Sequence, residues 1–146
     1  MRVANWDYLL VEYANELIGT EFERGTNDCV AIVRGAWELI TGKDVLGDSI
    51  PNYTTDLGAA RAFKKVGSFE EVLESVGAKE IPLNYATYGD VVFMRADEDD
   101  GPFQNIALVV GSNVLIASED HGRIVTTRLT QWRQSLDDRY VAYRSP

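Results

Sequence analysis

The stretch "GTNDCVAIVRGAWELITG", residues 25–42, decides how the rest of the chain is read. It opens with a glycine and an Asn-Asp pair, both turn-forming, and then becomes apolar on most sides through Ile40. Only Arg34 and Glu38 interrupt that surface. A helix that is apolar nearly all round is a central one. Asn27 or Asp28 is a suitable N-cap and Gly42 a suitable stop, which predicts a core helix from about residue 28 to Thr41. Cys29, the only cysteine of the chain, falls in its first turn. Two readings of that thiol stand open. A helix N-terminus carries partial positive charge and favours a thiolate, as a nucleophile requires. Free cysteine is also among the most buried residue types and often just fills space.

Working outward, residues 5–18 show the helical period, with Trp6, Leu9, Leu10, Tyr13, Leu17 and Ile18 on one face. Asn5 is the expected cap and Gly19 the stop. After the polar connection "KDVLGDSIPNYTTD", two short helices are predicted. One begins at Thr55 or Asp56 and ends at Gly67. The other runs from Ser68 to Gly77, with Glu71 at capping-box spacing. The period then changes from helical to extended. Segments 90–96, 105–111, 114–118, 123–129 and 139–144 are rich in β-branched and aromatic residues, with Gly111-Ser112-Asn113 at a hairpin turn. Helices first and strands after predict one α+β domain over residues 1–146, its antiparallel meander packed on the central helix.

The formal net charge of −9 argues against a nucleic-acid partner. One cysteine excludes an internal disulfide and a cysteine-based zinc cluster. No apolar run reaches the roughly 18 residues of a membrane span. Acids interrupt the N-terminal apolar positions, unlike a signal peptide, so a cytoplasmic location or a particle assembled there is expected. The acidic run at 96–102 lacks the ligand spacing of a calcium loop and reads as a solvated connection. No cofactor or metal is expected. Trp37 reads as core, and Trp132 as packing over a sheet edge.

The segments "GTEFERGTNDC", "TGKD", "YATYGDVVFM" and "NIALVVGSNVLIAS", in that order, resemble the NlpC-type papain-like cell-wall peptidase superfamily, and most closely its small phage-tail-associated branch. The resemblance implies a papain-like α+β fold, with Cys29 as nucleophile and Gly89-Asp90 opening the first sheet strand. It also implies a general-base histidine at the position held here by Asn105, and a third polar residue near Ile116. Asn105 can donate a hydrogen bond to an oxyanion but cannot take a proton from Cys29. The only histidine, His121, lies in the "SEDHGR" turn. Meander geometry brings that turn to the end of the sheet where the Asn105 strand begins, making His121 the candidate replacement base. Asp28 reads as the helix cap. Two functions follow. One is a structural or protein-interaction domain of a phage tail tip or baseplate hub, located in the virion, with other tail proteins as partners. The other is a cysteine amidase or endopeptidase acting on peptidoglycan stem peptides through Cys29, His121 and Asn105.

Overall fold

The computed structural model describes residues 2–23, 25–95, 106–118, 120–134 and 139–146, the side chains of Asp56 and Phe63 excepted. Among them the chain is α+β, with helices α1 (Trp6–Leu17), α2 (Cys29–Thr41), α3 (Asp56–Val66), α4 (Phe69–Ser75) and α5 (Leu129–Arg133). The strands are β1 (Lys79–Ile81), β2 (Val91–Met94), β3 (Ala107–Val110), β4 (Asn113–Ser118), β5 (Arg123–Arg128) and β6 (Tyr140–Arg144). They form one open antiparallel sheet in the order β1-β6-β2-β3-β4-β5.

The meander expectation holds from β2 to β5 and fails at the last strand. β6 does not extend the far edge; it returns to lie between β1 and β2, pairing Arg144 with Lys79 and Tyr143 with Val91. The physical reason is in its residues. Val141 and Tyr143 belong to one apolar cluster and Ala142 to the other, all buried. A strand apolar on both faces needs an interior position. Strand β1 and helix α5 are too short for periodicity to have announced them.

The two faces of the sheet are cleanly divided. Val91, Phe93, Leu108, Leu115, Ile124 and Tyr143 join the main core with α1, α2 and α4. Val92, Ala107, Val109, Val114 and Ala142 face a smaller cluster closed by Leu129, Trp132 and Ala86. Trp132 is therefore packing: it lies edge-on to Tyr140 at 5.3 Å, and its indole N–H donates to Thr127 Oγ1 at 3.2 Å. Trp37 is fully buried, its N–H donating to the Gly89 carbonyl at 2.9 Å.

The caps follow the sequence with one exception. Asp28, Gly42, Thr55 and Ser68 act as read: the Ser68 hydroxyl accepts the Glu71 N–H at 3.1 Å, and Thr55 Oγ1 that of Gly58 at 3.0 Å. Asn5 instead sits in the left-handed region, φ 59°, and makes no side-chain cap bond. Asparagine tolerates that conformation better than most residues, so it shapes the entry to α1 through its backbone.

Two tyrosines predict the alkaline limit of the fold. Burial, and secondarily the charge of Glu38, pushes the Tyr13 hydroxyl up to about 12; it donates to the Ile32 carbonyl at 3.0 Å. Burial pushes Tyr143 further, helped by Glu74 and Glu70, whose carboxylate oxygens lie 2.7 and 2.9 Å from its hydroxyl. Both shifts favour the neutral phenol. Their stabilisation is complete below the unfolded tyrosine value of about 10 and is lost as pH rises through the folded values. The thermal midpoint should fall between about pH 10 and pH 12, more shallowly in Tyr13→Phe. A midpoint flat across that range would contradict the assignment.

Candidate functional site around Cys29

The approach to Cys29 is built by backbone pairing. Gly19 N–H donates to the Ile124 carbonyl, Ile124 N–H to that of Thr20, and Phe22 N–H to that of Gly122, each at 2.9 Å. The loop leaving α1 thus runs along the outer edge of β5. Asn27 then ties the turn back, its side-chain amide donating to Thr20 Oγ1 and to the Glu21 carbonyl, both at 2.9 Å.

Asp28 closes this construction. Its side chain is fully buried, and its carboxylate accepts three donors: Gly25 N–H at 2.8 Å, Ala31 N–H at 2.8 Å and the Tyr53 hydroxyl at 2.7 Å. The capping reading of Asp28 is correct, and the cap is also the anchor for the 51–55 connection. Gly25, at φ 89°, lies against the Tyr53 carbonyl so closely that a Cβ would overlap it. The sequence reading did not pair Tyr53 with Asp28. The only available signal was a lone aromatic in a polar connection, "PNYTTD". Cys29 follows as the first residue of α2, half-buried and packed against the main core.

The end of the sheet that faces Cys29 follows from α2's other end. Trp37 binds the Gly89 carbonyl, and Gly89 N–H donates to the Val109 carbonyl at 2.9 Å, so the close of β3 lies by the C-terminal half of α2. The start of β3 and the close of β4 therefore point toward Cys29. Asn105 lies outside the described residues, as does the 96–102 acidic run. The next residue, Ile106, is buried in the helix-side core. On β4, Ala117 packs on that core, whereas Ile116 belongs to the opposite face. A third triad member sought at Ile116 would point away from α2. The helix-facing positions there, Ile106, Leu115 and Ala117, are apolar, as is Ile124, which pairs with Ala117.

His121 is on an exposed turn joining Ser118 to Arg123, as expected. The turn is paired, through Gly122, with the loop that leads to Cys29, so histidine and cysteine belong to the same end of the molecule. The ring's polar neighbour is Ser118: Nδ1 lies 2.8 Å from its hydroxyl, which also receives the His121 backbone N–H at 3.2 Å. Gly89-Asp90, the other motif, is structural. The buried Asp90 carboxylate receives Arg144 at 3.0 and 2.9 Å and the Thr87 N–H at 2.8 Å. Among the described residues, no group of three or more His, Cys, Asp or Glu side chains is placed to hold a metal ion, and no helix is long and apolar enough to cross a membrane.

The sequence pattern of the family described as "Domain of unknown function (DUF6950)" matches residues 1–138. The chain belongs to that family. No curated protein and no solved structure matches it. The DUF6950 match spans every element that builds the Cys29 loop, together with β2 to β5 and α5; β6, which carries Arg144, lies beyond it.

Proposed function

We propose that this domain is a papain-like, NlpC-type module that works through protein contacts, as a component of a phage tail tip or baseplate hub, rather than by hydrolysis. The observation carrying this reading is the apolar surface that the described strands offer to the Cys29 end of α2: Ile106, Leu115, Ala117 and Ile124, where a Cys–His site needs polar side chains. The α+β order of elements, helices first and an antiparallel sheet after, supports the reading, while Asp28, Asp90 and Gly89 serve as fasteners.

A second reading is favoured by the half-exposed thiol at the helix start and by the His121 turn paired to the same loop. In it, Cys29 attacks a peptidoglycan stem-peptide amide, His121 passes the thiol proton to the leaving amine, and water then releases the acyl group. Backbone N–H groups at the start of α2 would stabilise the oxyanion.

The pH dependence of Cys29 alkylation separates the two. The expected result is a profile that His121→Ala leaves unchanged. A midpoint well below the free-thiol value of about 8.5, moved by His121→Ala, would establish a thiolate–imidazole pair and overturn the non-hydrolytic reading.

A further inference from the structure

Helix α1 carries two stripes. The inner one, Leu10 and Ala14 with Trp6, Tyr13 and Leu17, is the core contact. The outer one is Tyr8, Val11 and Asn15, all exposed and spaced three and four residues apart, as in a coiled-coil seam. Ile18, expected on the core face, is instead the exposed residue just past the helix, in non-helical backbone at its C-cap. Tyr8 is 62% exposed, Ile18 47% and Val11 39%. Asn15 is the polar one, and a single asparagine in such a seam fixes the register of the partner helix. Acids flank the stripe on both sides, Asp7 on one and Glu12 and Glu16 on the other, and α1 contains no basic residue. Tyr8 is held to the rim by a 2.9 Å hydrogen bond from its hydroxyl to Glu12. Beyond Val11 the surface continues into a groove of about 350 Å³ walled by Tyr88. Tyr88 lies over Gly111, where a Cβ would fall 2.7 Å from the tyrosine hydroxyl.

We propose that the outer face of α1, with Tyr88, is a docking site for an amphipathic helix of a partner protein that carries Lys or Arg along the edges of its apolar seam. The seam supplies apolar contact, and the acidic borders select the flanking charge. A second copy of this chain fits poorly: α1 against α1 would set acids against acids, between molecules of formal net charge −9. The site uses no residue of the Cys29 region and holds under either reading of that region.

The test is binding of a synthetic helical peptide with leucine at the seam positions, one of them replaced by asparagine to meet Asn15, and lysine flanking them. It is compared with the same peptide carrying glutamate flanks. The lysine peptide should bind, more weakly as salt rises, and the glutamate peptide should not. Val11→Glu is the deciding variant. It adds negative charge, so a merely electrostatic attraction would strengthen, whereas a seam contact should weaken about tenfold or more. Glu12→Lys should weaken it as well. Both sites are exposed, so unchanged thermal midpoints should accompany these effects. Equal binding of both peptides, or a Val11→Glu variant that binds as well or better, would overturn the proposal. So would self-association abolished by Val11→Glu, which would give the face to a second copy.

Discussion

Asp28→Ala should cost about 3–4 kcal/mol, the largest single loss expected for a side chain next to the candidate site. Three donors converge on that carboxylate from three segments: the Gly25 turn, the first turn of α2, and Tyr53 of the following connection. Loss of an N-cap accounts for about 1 kcal/mol. The remainder comes from donors left without an acceptor where the carboxylate was fully buried, at about 1–3 kcal/mol for such a group. Against a typical total stability of about 5–15 kcal/mol, urea unfolding should show the midpoint displaced by a large fraction of its value. Asp28→Asn keeps an acceptor for the helix cap and should recover part of the loss; Tyr53→Phe should cost only about 1 kcal/mol. If Asp28→Ala left the midpoint in place, the carboxylate would not be the fastener, and a role in the chemistry of Cys29 would have to be considered instead.

What the sequence made legible follows from range. The limits of α2, its cap, and the hairpin between β3 and β4 rest on residues within a few positions of each other, and all were readable. So was the α+β order of elements. The pairs that lock the site were not: Tyr53 reaches Asp28 across 25 positions and Arg144 reaches Asp90 across 54. No local pattern announces such contacts. The position of β6 was misread. The meander put it last, whereas its apolar residues on both faces require the interior place it takes between β1 and β2. Ile116 shows a different failure. Matching it to a motif placed it in the site, whereas strand parity settles the matter. Val110 pairs with Asn113 across the Gly111-Ser112 turn, so Leu115 and Ala117 face α2 and Ile116 cannot.

Asp90→Ala is the second large effect expected, about 2–4 kcal/mol, and it bears on how the Gly-Asp motif is interpreted. Arg144 grips both carboxylate oxygens, and Arg2 lies 3.9 Å from one of them. Burial already holds the Arg2 guanidinium below its ordinary value, and the like charge of Arg144 adds to that; Asp90 is the compensating charge. Without it, two cations face each other at the junction of β2 and β6. Arg144 is 40% exposed, so water screens part of the penalty, and the loss should fall toward the lower end of the range. Gly89 beside it adds a steric demand. At φ 85° a Cβ would lie 2.6 Å from Ile40 Cδ1, and its carbonyl must remain available to Trp37. The pair therefore docks the C-terminal half of α2 onto the start of the sheet, at the end away from Cys29. Asp90→Ala should accordingly lower the unfolding midpoint while leaving the pH profile of Cys29 alkylation in the folded protein unchanged. A shifted profile would mean that the motif acts on the thiol. An unshifted one means that Gly89-Asp90 specifies architecture alone, so its presence carries weight for the fold and none for hydrolysis.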